Sequence, residues 1–287
     1  MELRHIALRD GRLSSFLKQE LGLSTGLMNR LKWADKLYVN GVARHADHPV
    51  TAGDEIVAVL DEPDPQYPAQ DGPLSVLYED DHILCVDKPA GMLIHPSRSC
   101  FTGTLANFVL GYYRKTGQSC AFHPVTRLDR DTFGVVLLAK NAHIHGKLNA
   151  LHSQGLLQKT YEAFVLGRPQ PEKGVIQAPI ARLPLPSLLR KVDPAGKPSV
   201  TEYAVTERFP DYSRVSLRPI TGRTHQLRVH CQHMGFPILG DPQYHTADSA
   251  ALSEQLGYTT QVLCAVKLSF PHPVDGKLME IFTKIAP

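Results

Sequence analysis

Residues 60–73, LDEPDPQYPAQDGP, contain four prolines and no hydrophobic periodicity, so neither a helix nor a strand can run through them. Proline fixes φ and removes backbone donors, which predicts an extended connector at 61–73 and a domain boundary there. The charge balance changes at the same place. Residues 1–60 carry 8 Lys and Arg against 7 Asp and Glu, residues 61–81 carry none against 7, and residues 82–287 carry 23 against 14. The formal net charge of +3 thus conceals a clearly basic C-terminal part, which suits a polyanionic partner. A chain of 287 residues has room for a small domain at 1–60 and a larger one at 74–287.

With 43% hydrophobic and 21% charged residues, the composition is that of a soluble globular protein. No stretch approaches the ~18 consecutive apolar residues that a membrane span needs. The opening MELRHIALRDGR has charges where a signal peptide would need its apolar core. Five cysteines, Cys85, Cys100, Cys120, Cys231 and Cys264, are odd in number and form no CxxC pair, which fits a reducing compartment. A cytoplasmic protein is expected.

In the first segment, Leu13, Phe16, Leu17 and Leu21 recur at helical spacing, and Ser24 can cap a second helix carrying Leu27, Met28, Leu31 and Lys32. Asn40-Gly41 then marks a tight hairpin. Arg30, Lys32, Lys36 and Arg44 gather near one edge of this small unit. Beyond the connector, strands are expected around 76–78, 83–86, 135–139, 159–167, 201–205 and 214–217, with helices at 104–115 and after Asn141. No βαβ period or internal repeat is present, so the larger part reads as α+β.

The charged residues concentrate in HPVTRLDRDTFGVVLLAKN, residues 123–141. Asp129 and Asp131 stand among Arg127 and Arg130 in a short turn that feeds the apolar run from Val135 to Ala139. A carboxylate there is anchored by the buried strand and still reachable. No glycine-rich phosphate loop follows a strand, and no GxSxG elbow is present. His225, His230, Cys231 and His233 crowd together, but their spacing matches no usual zinc-ligand pattern. Arg223 and Arg228 are five apart, so on a helix they point differently, one free for phosphate and the other for a carboxylate. Tyr161 begins a strand and offers a flat ring.

Four motifs taken together are more informative than any one of them. DKPAG followed by HP, RLDRDTFG with its apolar strand and AKN, KTYEAFVLG, and TGRTHQLRVH with GFPILGDPQY resemble the RluA-type family of RNA pseudouridine synthases, in the family's order across 74–287. Phe133 departs from the family's usual Ser. Residues 1–60, with VNG followed by GD, resemble the alpha-L RNA-binding motif of ribosomal small-subunit proteins, although Thr25 and Gly26 stand where basic residues are common. The resemblance implies a pseudouridine synthase fold, a mixed and mainly antiparallel sheet with flanking helices, plus a small N-terminal α/β RNA-binding domain.

The same resemblance makes Asp129 the catalytic aspartate, Tyr161 the tyrosine packed on the target base, and Arg228 the partner of the aspartate. Arg127 matches an arginine implicated in RNA engagement, with Arg223, His225, Arg30, Lys32 and Lys36 as further expected RNA contacts; Asp131 is left as a turn or pairing residue. Breaking the N1–C1′ bond, turning the uracil and joining C5 to C1′ needs no oxidant and no outside group, so no cofactor, metal or nucleotide is expected. The expected partner is RNA, ribosomal RNA first and tRNA second, bound by a monomer without a membrane. Two other readings stand beside this one. A non-catalytic RNA-binding or assembly factor would have no physical need of the Asp129, Tyr161 and Arg228 set. A nuclease using Asp129 and Asp131 would require metal and strand cleavage.

Overall fold

The computed structural model describes residues 2–61, 67–97 and 99–285. Residues up to Leu60 build a four-stranded antiparallel sheet, ordered Glu2–Ile6, Glu55–Val59, Leu37–Val39, Val42–Ala43, and two helices, Leu13–Gln19 and Thr25–Trp33. Leu13, Phe16, Leu17, Leu27 and Leu31 of these helices meet Leu37 and Ile56 in one apolar core. Ser24 caps the second helix, its hydroxyl accepting the Leu27 N–H at 3.2 Å. Asn40 and Gly41 both have positive φ, +50° and +76°, as a tight type I′ hairpin requires.

The rest of the chain is organised around a ten-stranded sheet. Its path runs Lys173–Gln177, Val200–Arg208, Tyr212–Pro219, Gln158–Leu166, Leu263–Pro271, Phe133–Ala139, Ile83–Lys88, Ser75–Glu79, with Leu278–Phe282 and His123–Pro124 attached beside it. Among the described residues its pairings are antiparallel except one. Phe133–Ala139 meets Leu263–Pro271 in parallel for two residues, Phe133 opposite Cys264 and Gly134 opposite Ala265. Gly134 makes that close meeting feasible: its φ is +111°, and a Cβ there would stand 2.5 Å from the Ala265 carbonyl oxygen. Helices Leu105–Lys115, Ala142–Ser153 and Gln226–His233 flank the sheet, giving the α+β architecture that the irregular alternation of elements implies.

Of the connector, residues 62–66 lie outside the described residues. Its second half has no regular structure, and it is docked on the larger part of the chain. Tyr67, Ala69 and Leu74 pack against the core beneath helix Leu105–Lys115. The Pro68 carbonyl accepts from Asn107 Nδ2 at 2.8 Å, and the Gln70 N–H donates to the Asn107 carbonyl at 3.0 Å. A proline-rich strand cannot join a ladder, but its carbonyls can still be paid by a side-chain amide, and Asn107 does so while completing the helix's capping box.

The N-terminal residues also touch the larger part of the chain. The turn at Gly22 lies on helix Ala142–Ser153, where a Cβ on Gly22 would be 3.7 Å from Lys147 Cε and 3.8 Å from His143 Cε1.

Candidate active site

Asp129 sits in the loop that leads into strand Phe133–Ala139, at the middle of the large sheet. Leu128 holds it there by packing against the apolar clusters on either side of the loop. Behind the loop lies Lys88, fully buried, whose ammonium donates to the carbonyls of Pro89, Met92 and Arg130 at 2.8, 2.9 and 2.8 Å. One cation thus ties the DKPAG turn to the RLDRD turn. Burial lowers the Lys88 pKa to about 8, with the charges of Asp131 and Asp129 opposing the shift. Asp131 turns away and takes a bidentate pair from Arg130, Nε at 2.9 Å and Nη2 at 2.8 Å. That is the pairing role the charge pattern of the turn suggested.

Tyr161 comes from strand Gln158–Leu166, on the other side of Leu263–Pro271. The ladder between those strands slips at this residue, Thr160 pairing with Lys267 but Glu162 with Cys264. A bulge re-aims the side chain it carries, and here it coincides with the one aromatic that the sequence singled out on this strand. Burial raises the Tyr161 pKa, and the Asp129 charge adds to the effect, so the phenol keeps its proton.

Arg228 arrives on helix Gln226–His233, which packs Leu227 and Cys231 into the cluster that holds Tyr161, Ala163 and Leu217. The start of this helix is pinned by Gln226. Its Oε1 accepts from the Arg223 N–H and the Thr221 hydroxyl, and its Nε2 donates to the Val200 carbonyl and Thr201 Oγ1. Arg228 then forks. Nε and Nη2 donate to the two carboxylate oxygens of Asp241 at 2.6 and 2.8 Å, Nη2 also reaches Gln243 Oε1 at 3.0 Å, and Nη1 alone faces Asp129 Oδ2 at 3.5 Å. The Asp241 side chain is 0% exposed, whereas that of Asp129 is 32% exposed. The buried carboxylate fixes the guanidinium, and the accessible one meets its remaining edge. Burial works against the Arg228 charge, yet the Asp241 hydrogen bonds and field raise its pKa, with Asp129 adding.

His225, expected as an RNA contact, lies at the same centre. Its Nε2 is 4.0 Å from Asp129 Oδ2, and its backbone is left-handed, φ +58°. A non-glycine residue in that region is held by its surroundings, and such residues cluster at functional sites. His230 and His233 do not join it. His230 is buried and engaged through Nδ1 with Thr201 Oγ1 and through Nε2 with the Ala178 carbonyl. The remaining expected RNA contacts lie outside this cluster. Arg127 is exposed on the Asp129 loop. Arg223 precedes the helix and donates from Nε to the Pro198 carbonyl at 3.2 Å. Arg30 and Lys32 are on helix Thr25–Trp33, and Lys36 pairs with Asp61 at 2.6 Å.

Lys88, Asp241, Gln243 and Tyr244 carry no role in the sequence reading, although they belong to its DKPAG and GDPQY motifs. What the arrangement offers is one reachable carboxylate, faced by a guanidinium edge and an imidazole and served by a strand bearing an aromatic.

The sequence pattern of the family described as RNA pseudouridylate synthase matches residues 82–233, which include Asp129, Tyr161 and Arg228. The chain belongs to that family. The chain is 36% identical over 263 residues to the uncharacterized RNA pseudouridine synthase YjbO of Bacillus subtilis, covering 91% of this chain and 90% of that one. Ribosomal large subunit pseudouridine synthase D of Vibrio parahaemolyticus is 35% identical, covering 87% and 79%. Among solved structures, human RNA pseudouridylate synthase domain containing 1 superposes with a TM-score of 0.63 at 26% identity, covering 76% of this chain and 86% of that one. This RNA pseudouridine synthase is therefore an isomerase of the RluA type, built on the pseudouridine synthase fold. No helix of the described residues is long and apolar enough to cross a membrane.

Proposed function

We propose that this synthase isomerises specific uridines in structured RNA, large-subunit ribosomal RNA above all, and that Asp129 is the carboxylate that acts on the sugar. The observation that carries the assignment is the asymmetry around Arg228. Of its two carboxylate partners, only Asp129 is open to solvent, so only Asp129 can meet a substrate. A carboxylate beside C1′ and C2′ stabilises cationic charge at C1′, attacks it as in retaining glycosidases, or removes the C2′ proton. Every route uses Asp129. The isomerisation has no net oxidation and no external group, so the chain needs neither cofactor nor nucleotide, and it works as a cytoplasmic monomer.

A uridine inside folded RNA must leave its stack to reach Asp129, at a cost of a few kcal/mol. Stacking on Tyr161 returns roughly 1–3 kcal/mol of this. Arg127, Arg223 and the basic part of the chain hold phosphates, and residues 1–60 add a second RNA contact through Arg30 and Lys32. The relatives named for the ribosomal large subunit support this choice of RNA. Pseudouridine mapping across all ribosomal RNA and tRNA, in cells with and without the protein, tests it. One or more large-subunit positions are expected to lose pseudouridine and to regain it on complementation. Loss confined to tRNA would overturn the choice of substrate.

A further inference from the structure

Tyr244, 3% exposed, touches each of the groups that face Asp129. Its hydroxyl is 2.8 Å from His225 Nδ1, and its ring lies under the Arg228 guanidinium, 4.8 Å from carbon to centroid. Its own N–H donates to Asp241 Oδ1 at 3.0 Å. A further bond decides the direction of the first. The Arg190 N–H donates to the Tyr244 hydroxyl at 2.8 Å. An amide N–H can only donate, so the hydroxyl accepts there; with His225 Nδ1 its one other hydrogen-bond partner among the described residues, the buried hydroxyl hydrogen would go unbonded unless it is given to Nδ1. A neutral imidazole that accepts at Nδ1 carries its hydrogen on Nε2, the nitrogen that faces Asp129.

We infer that Tyr244 is a positioning residue: it holds His225 as the Nε2–H tautomer and Arg228 in its forked orientation, so that one buried side chain sets both donors aimed at Asp129. This rests on Asp129 being the acting carboxylate. The charged groups around His225 are Asp129, Arg228, Arg190 and Asp241, and the ring stays neutral because burial lowers its pKa, Arg228 and Arg190 adding while the two aspartates oppose. A protonated ring would donate at both nitrogens. The Tyr244 hydroxyl hydrogen would then have lost its acceptor. The two donors do different work: Arg228 brings a fixed positive charge to Asp129, whereas His225 brings a neutral N–H.

The test begins without RNA. In protein labelled with ¹⁵N-histidine, with the His225 resonances assigned through His225→Asn, the ring is expected to show the neutral Nε2–H pattern. In Tyr244→Phe, which keeps the ring under Arg228, that pattern is expected to give way to mixed tautomers. The single-turnover rate on a large-subunit ribosomal RNA transcript should fall about five- to ten-fold, the worth of one hydrogen bond. Affinity for the transcript should be unchanged. Because the lost bond favoured the neutral ring, the acid limb of the rate–pH profile should move to higher pH. The double variant Tyr244→Phe/His225→Asn should be no slower than His225→Asn. A hydrogen found on Nδ1 in the parent protein overturns the inference, even if Tyr244→Phe does not fold. So does a Tyr244→Phe rate equal to that of the parent. Activity in Asp129→Asn would instead overturn the role of Asp129 and leave the tautomer result standing.

Discussion

Arg228 gives two hydrogen bonds to Asp241 and turns only its last edge toward Asp129. Removing it would leave a carboxylate that is 0% exposed without its cation. Breaking one half of a buried pair costs about 3–5 kcal/mol. Arg228→Ala is therefore expected to lose that much stability in a denaturant titration as well as its activity, while Arg228→Lys keeps the charge but cannot form the fork and recovers only part of both. A loss below about 1 kcal/mol in Arg228→Ala would mean that Asp241 does not depend on the arginine. At this scale the sequence was legible where a family motif names a residue, Arg228 as the partner of Asp129 included, and opaque where no motif names the partner, as with Asp241. Asp129 and Arg228 are 99 positions apart, and no spacing rule joins them. Asp241 and Tyr244 stood in plain view in GDPQY, but their work depends on which helix the fold lays across them. His225 could be read as a basic residue near RNA; that it faces Asp129 follows from a left-handed backbone that composition does not reveal.

Elements set where these residues can meet. The parallel contact of Phe133–Ala139 with Leu263–Pro271, made possible by Gly134, and the bulge at Tyr161 both lie on the strands that carry the site. The apolar run at 135–139 announced a buried strand, yet its neighbours Ile83–Lys88 and Leu263–Pro271 come from sequence-distant segments and could not be read. The connector shows the opposite limit, since proline excluded regular structure but did not exclude docking on Asn107. Helix Ala142–Ser153 carries a further consequence at its contact with the Gly22 turn. Burial lowers the His143 pKa to about 4, with Lys147 adding, and its Nδ1 is buried without a hydrogen-bond partner among the described residues. A histidine kept neutral in the fold contributes stability that is complete above its unfolded pKa, roughly 6.5, and is lost as pH falls toward about 4. Melting temperatures measured from pH 7 to 4 should fall more steeply for the parent than for His143→Gln; identical slopes would remove His143 from the acid response.

Over the whole molecule, the charge asymmetry across the connector pointed to a polyanionic partner, although it said nothing of which cations remain open. Lys36 pairs with Asp61, whereas Arg30 and Lys32 share their helix with Trp33, the sole tryptophan, which is 81% exposed with the Lys32 ammonium 5.5 Å from its ring. An indole left in water beside cations is suited to stack an unpaired base. Trp33→Ala is expected to weaken binding of the large-subunit transcript by about 1–3 kcal/mol, and Trp33 emission in the parent should be quenched by the RNA. Unchanged affinity and emission would remove this face from the RNA contact. Arg30→Ala should lessen the salt dependence of binding by roughly 0.7–0.9 in log–log slope, the share of one phosphate contact. All of these surroundings position one carboxylate, and the direct test replaces that group alone. Purified Asp129→Asn, assayed against the parent on RNA containing a mapped target uridine without metal or nucleotide, is expected to form no pseudouridine while binding that RNA within a few-fold of the parent; pseudouridine formation at the parent's rate would contradict the account.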